Sequence, residues 1–278
     1  MVRLSAFADE IAPGLDEQLR VCRECRIGQI ELRTVDGVNV LDFDPAMRRA
    51  IRARLSDCGV GVQTIASPIG KVKITDPWPG HFDRFKQGVE MAEFFAAPFL
   101  RIFSYYAPSP TDDIRQHRGE VMRRMQAKAD YLDGHPVVML HENEKDIYGE
   151  RGQECADLMR TIDSPKLRCA FDFANFAQAG ERPRDNWPAL RPYTVQIHIK
   201  DAMLDVGTVV MAGAGDGDIP AILADAYAGG YRGYLSLEPH LAVAGQFSGF
   251  SGPKLFAEAV MALRGVCAAA RIPIADPR

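Results

Sequence analysis

Glu142, Asp172, His198 and Glu238 stand 30, 26 and 40 residues apart, and each lies at the end of a short apolar run. The runs are Val137 to His141, Leu167 to Phe171, Val195 to Ile199 and Tyr234 to Leu237. Each interval is about the length of one strand–helix repeat. Three carboxylates and an imidazole cannot share a low-dielectric pocket unless a cation or protons compensate them. One divalent metal ion does this directly. Oxygen-rich ligation with a single nitrogen suits Mn2+ first, with Mg2+ and Co2+ close to it and Zn2+ still compatible. Taken singly, each residue reads as a solvated or capping group, and Asp172 as a helix cap. Their coincidence at one edge of neighbouring strands is what points to a metal centre.

The elements that must position these residues alternate strand and helix. Four further apolar runs precede the first set, Arg3 to Phe7, Gly28 to Leu32, Gly61 to Ile65 and Phe99 to Phe103. Between runs lie stripes with three- and four-residue spacing, such as Leu15–Gln18–Leu19–Cys22, Phe85–Val89–Met91–Ala92 and Val121–Met125–Ala129–Leu132. Asp218-Ile-Pro reads as an N-cap followed by Pro in the first turn. Eight strands alternating with helices over 278 residues define an α/β fold, a single (β/α)8 TIM barrel spanning 1–278 with a short C-terminal tail from about 272. An open doubly wound sheet is the competing architecture. It normally carries a glycine-rich first turn, whereas the first strand here runs into Phe-Ala-Asp-Glu-Ile-Ala-Pro.

Composition narrows the class. Against 33 basic residues stand 37 acidic ones, a formal net charge of −4, so the basic field of a nucleic-acid binder is missing from the totals. No stretch approaches the roughly 18 uninterrupted apolar residues of a membrane span, and the N-terminus lacks the apolar core of a secretory signal. Six cysteines without framework spacing read as reduced thiols, and the expected setting is the cytoplasm.

In a barrel the strand C-termini collect function, which adds candidates around the four ligands. Lys200 and His240 each follow a ligand by two residues, on the same side if the strand pattern continues. Lys71 lies in the loop after the third strand, in reach of a phosphate or hydroxyl. Glu31 and Arg33 read as an ion pair beneath the mouth. Trp78 and the Ser104-Tyr105-Tyr106 loop offer apolar walls. Other motifs fail: His141-Glu142 lacks the second histidine of H-E-x-x-H, Gly249-Phe250-Ser251-Gly252-Pro253 lacks the final glycine of a nucleophile elbow, and Gly213 to Asp218 fails G-x-G-x-x-G at its last position.

With Glu142-Asn143, Asp172-Phe-Ala-Asn-Phe176, His198-Ile-Lys-Asp201 and Ser236-Leu-Glu-Pro-His240 in this order, and Gly215-Asp216-Gly217 before a helix, the chain resembles the xylose isomerase-like TIM-barrel superfamily of sugar and sugar-phosphate isomerases and epimerases. The resemblance implies a metal held by Glu142, Asp172, His198 and Glu238. It further implies that Glu142 and Glu238 act as acid and base on opposite faces of a sugar, sugar phosphate or related polyol, through an enediolate. Lys71, Asn175, Lys200 and His240 are the expected substrate contacts, the partner is a small carbohydrate, and assembly into dimers or tetramers is common among such relatives. Two departures from the ketose 3-epimerases bear on substrate: Asn175 stands where they have histidine, and no arginine follows His198 closely. A lyase or dehydratase beginning with the same proton abstraction is the alternative, and a non-catalytic sugar-binding barrel a second. The superfamily's endonuclease IV branch uses many histidines, and six histidines with an acidic pI of about 5.9 do not fit it.

Overall fold

The computed structural model describes residues 1–244 and 249–277. Eight parallel strands form one sheet: Arg3–Ala6, Gln29–Leu32, Gly61–Ile65, Phe99–Ile102, Val138–Glu142, Leu167–Asp172, Thr194–Ile199 and Tyr234–Leu237. From the second strand to the eighth each pairs with the next in sequence, and the last pairs back onto the first, Arg3 opposite Tyr234 and Ala6 opposite Leu237. A parallel bridge from Phe7 to Glu31 joins the first strand to the second and all but closes the barrel. This is the expected (β/α)8 architecture. Boundaries differ by one residue at several ends. Phe103, for instance, lies beyond its strand because its N–H is drawn to the carbonyl of Ile69 in the preceding loop.

Helices follow the strands because the stripes read from sequence bury one face each. Helix α1 (Leu15–Glu24) buries Gln18, Leu19, Val21 and Cys22, and α4 (Arg118–Tyr131) buries Val121, Met125 and Ala129. The six cysteines are free thiols. Ile219–Ala228 forms the helix expected after Asp218, but Asp218 makes no side-chain cap; its backbone sits at φ 54° and the carboxylate is not used. At the end of the chain, Ile274 bridges Val2, and the N–H of Val2 donates to Pro273 O at 3.0 Å. The segment read as a tail therefore begins by packing beneath the first strand.

One helix residue breaks the apolar pattern. Lys128 of α4 is fully buried, and its Nζ, 4.7 Å from the Tyr105 ring centroid, has no hydrogen-bond partner among the described residues. Burial, reinforced by Arg124, pushes its pKa down to about 7. The unfolded chain holds that proton up to about pH 10.4, so between pH 7 and 10 the unfolded state binds more protons and this residue's contribution to stability rises with pH. Lys128→Met is expected to stabilise the fold by about 2 kcal/mol at pH 6. Thermal melts of variant and wild type across pH 6–9 test this: the gain should shrink as pH rises, and a gain independent of pH would refute the assignment.

Candidate metal centre

Each of the four sequence-predicted ligands arrives at the C-terminal mouth by a different strand. Glu142 and Asp172 are the last residues of the fifth and sixth strands, His198 is next to last on the seventh, and Glu238 follows the eighth. All four are buried, and one donor atom from each lies within 4.8 Å of the other three. His198 Nδ1 is 3.0 Å from Glu142 Oε1 and 3.9 Å from Glu238 Oε2. Asp172 serves two purposes at once. Its Oδ1 accepts the N–H of Asn175 at 2.8 Å and caps helix α6 (Phe173–Gln178), while Oδ2 turns to the site, where it faces Lys200 Nζ. The capping reading and the ligand reading are thus compatible.

The donor set fits a divalent ion. Burial, against the pull of Lys200, pushes the Asp172 carboxyl up to about 6, the behaviour of an acid with too little positive charge beside it. Burial also opposes ionisation of Glu142, but His198 and Arg101 outweigh it and hold that carboxyl down to about 2. Glu238 is likewise held well below the usual range despite burial, chiefly by Lys200 and His240. The second nitrogen of His198, Nε2, lies 3.2 Å from Glu31 Oε1. A ligating histidine whose other nitrogen faces a carboxylate is the usual way of fixing ring orientation at a metal. Below it, Gln196 donates to Glu31 and also lies 3.0 Å from His198 Nε2, and Gln63 donates to Gln196 at 2.6 Å.

Above this layer opens a cavity of about 690 Å³ whose lining includes all four expected substrate contacts, Lys71, Asn175, Lys200 and His240. Lys200 Nζ sits 3.0 Å from Asp172 Oδ2 and 3.4 Å from Glu238 Oε2. His240 adopts φ 47° after Pro239 and still returns to the site, with Nε2 3.1 Å from Glu10 Oε1 and 3.5 Å from Glu238 Oε1. A Cβ on Gly249 would stand 1.7 Å from the His240 ring, so glycine is required there. Asn175 spends its side-chain amide on Asn143 O at 2.8 Å, and Lys71 bonds Glu144 at 2.6 Å. Glu10, Glu238 and His240 form a second cluster of donors, but Arg33 and the histidine itself already face its carboxylates.

Two sequence expectations are corrected. Glu31 and Arg33 do not pair with each other. Both point inward, yet Glu31 reaches His198 across the barrel, and Arg33 bonds Asp9 at 2.7 Å and Glu238 at 2.9 Å. Trp78 is no wall of the cavity: it opens helix α3 (Trp78–Phe94) and stacks on Phe82 at 4.8 Å. Of that aromatic set, Tyr106 lines the site while Tyr105 is buried. Arg101 was not foreseen. It lies opposite Leu140, whose parity matches Glu142, and donates to Glu142 Oε2 at 3.0 Å. A basic residue in the middle of an apolar strand is the signal that could have marked it. Arg33, just beyond the second strand, and Arg101, on the fourth, both rest on the ring of Phe7.

Residues 19–265 match the profile of the xylose isomerase-like TIM barrel family, and the chain belongs to that family. Among curated proteins it is 22% identical to the 3-dehydroshikimate dehydratase of Bacillus anthracis over 138 residues, covering 50% of this chain and 49% of the relative. The matched region thus spans about half the length of that relative. Among solved structures, an L-ribulose 3-epimerase superposes with TM-score 0.74 at 15% identity, covering 98% of this chain and 96% of the other. A xylose isomerase-like TIM barrel protein from Mycobacterium smegmatis, in complex with magnesium, gives 0.72 at 16% identity with 98% of both chains covered. At these identities the likeness is one of fold.

Proposed function

We propose that this protein is a divalent-metal-dependent isomerase or epimerase acting on a carbonyl-bearing sugar or related polyol. The observation that carries this is the convergence of four buried donors from four consecutive strands, one donor atom of each within 4.8 Å of the others. Glu142, Asp172, His198 and Glu238 would hold the ion, with Mn2+ the first choice and Mg2+ or Co2+ next. Bound there, it supplies Lewis acidity that polarises a carbonyl and stabilises charge on its oxygen.

The chain's own residues do the rest. One of Glu142 and Glu238 takes the proton from the carbon beside the carbonyl, and the other returns a proton from the opposite face, so the product conserves mass and inverts or relocates a centre. Arg101 and Arg33 hold one oxygen of each glutamate, fixing the direction in which the other points. Lys200, buried between Asp172 and Glu238, faces negative charge as it develops on substrate oxygens. The partial match to a dehydratase supports a second reading, a lyase that starts with the same abstraction and then expels water.

Turnover in deuterium oxide tests the scheme. The account expects one solvent deuterium at the carbon next to the carbonyl, product mass otherwise unchanged, and loss of activity on chelation that Mn2+ restores. Loss of 18 mass units would select the lyase, and full activity in a chelated, metal-free preparation would overturn both.

A further inference from the structure

We propose that a second pocket, beside the four-donor cavity, binds an organic cation: a primary ammonium or guanidinium group on a carbon frame. The pocket measures about 580 Å³ and lies between the loops that follow the fourth and fifth strands. It shares Tyr106 and Asp146 with the cavity above the four donors, so the two hollows have a common wall.

Backbone bonds build the floor of this pocket. Tyr106 bridges Lys73 on one side and Ile147 on the other. Ile74 N–H donates to Tyr106 O, and Tyr106 N–H to Val72 O, each at 2.9 Å. The loops after the third, fourth and fifth strands are thus stitched together. Against them stands helix α5 (Gly152–Ile162), whose first turn carries Glu154. That glutamate lines the pocket yet is only 8% exposed, and its Oε2 has no hydrogen-bond partner among the described residues. Burial raises its carboxyl above the usual range, against the pull of Arg115 and Arg151, as for an acid short of positive charge. A buried carboxylate is rarely left so unless a ligand or water completes it. It can only accept, and an ammonium or guanidinium can only donate.

The charge around the pocket agrees. Five carboxylates line it, Asp112, Asp113, Asp146, Glu150 and Glu154, against Lys73, Arg115 and Arg151. Two of these cations are already engaged. Arg115 Nη2 pairs with Asp113 at 2.8 Å, and Arg151 leans on Glu181, outside the pocket, at 3.6 Å. Four carboxylates then face one exposed lysine, a field that draws in a cation. They do not converge: among the described residues, both groups of three or more donors that lie within 4.8 Å of one another contain Glu238, in the other cavity. A bare metal ion, which needs several oxygens around it at once, is therefore not the occupant. The apolar walls, Ile114, Ile147, Tyr106 and Tyr148, suit a carbon frame that carries the charge toward Glu154.

The test is calorimetric titration, with and without Mn2+, using glucosamine and galactosamine, their N-acetyl and hydroxyl counterparts, and agmatine as a simple amine. At least one amine should bind, and an amino sugar that binds should do so about tenfold or more tighter than its N-acetyl form, which keeps the bulk and loses the charge. Glu154→Gln keeps the shape and removes the charge, and should weaken the bound amine by about tenfold, the scale of a lost hydrogen bond to a charged group. Glu150→Gln, at a less buried position, should weaken it severalfold. Circular dichroism serves to show both variants folded. An amino sugar that binds tighter with Mn2+ present would make the cation part of the compound in the cavity; agmatine binding as tightly, with or without Mn2+, would make it a separate small amine. Failure of every amine to bind, equal affinity for amino and N-acetyl sugars with none for agmatine, or unchanged amine affinity in both folded variants would overturn the proposal. A native protein that holds no metal yet keeps the amine preference would leave this pocket standing and remove the catalytic reading; metal-dependent turnover with no amine bound would do the reverse.

Discussion

Replacing Glu238 by Gln is expected to lower turnover by about a thousandfold, the scale of a lost general acid or base, while leaving the barrel folded. Glutamine has the same shape, Glu238 lies beyond the last residue of its strand, and the Arg33 Nη1 bond at 2.9 Å can be kept by an amide oxygen. What disappears is the capacity to hold a proton between two substrate faces, together with one charge of the ligand set. Glu142→Gln should behave alike, because its two oxygens meet Arg101 and His198 at 3.0 Å each. If only one glutamate handled protons, the other variant would lose metal affinity yet recover most of its rate at high Mn2+. Single-turnover assays across a metal titration separate these cases. A barrel that binds sugar without chemistry would show ligand binding unchanged in both variants and no exchange in either.

The second large effect is expected at Asp201, outside the ligand set. Fully buried, it accepts four backbone N–H groups: Ala202 and Gly217 on Oδ1, each at 3.0 Å, and Gly213 and Gly215 on Oδ2, at 2.8 and 3.0 Å. This one carboxylate folds the loop after the seventh strand, whose Leu204, Asp205 and Val206 line the cavity. The close approach explains the glycines, since a Cβ at Gly215 or Gly217 would lie 2.5 or 2.6 Å from Asp201 Oδ1. Asp201→Ala strands those buried donors, at a cost of about 3 kcal/mol or more. That corresponds to a fall of roughly 6–12 °C in melting temperature for a chain of this size. KM should rise more than kcat falls, because the loop meets substrate and not the reacting carbon. A melting temperature within a degree of wild type would show that the loop holds its shape by other means.

The cluster of four donors was legible in the sequence because it obeys a local rule: an apolar run ending in a hard donor, repeated at barrel spacing. The same rule brought Lys200 and His240, two residues beyond His198 and Glu238, to the cavity lining. It failed where pairing crosses the barrel. Glu31 and Arg33 are two residues apart and share a face, so alternation suggests a bond between them, yet each finds a partner on another strand that sequence distance hides. Gln196, Glu10 and Asp9 were missed for the same reason: their meaning lies in what they face, and no local pattern states it. At Asp218, helix-capping preference pointed to a side-chain cap, but the φ 54° turn that brings the chain off the glycine loop leaves the carboxylate unused. Trp78 read as an apolar wall because its Pro- and Gly-bounded stretch looks like a loop, and instead it opens helix α3 and stacks on Phe82.

The central claim is that these four side chains hold a metal ion. Elemental analysis of the purified protein, beside an Asp172→Ala/His198→Ala variant, tests it most directly. The account predicts about one divalent ion per chain in the native protein and none in the variant, with both folded by circular dichroism. No ion in the native protein after reconstitution with Mn2+, Mg2+, Co2+ or Zn2+, or equal metal in native and variant protein, would contradict it.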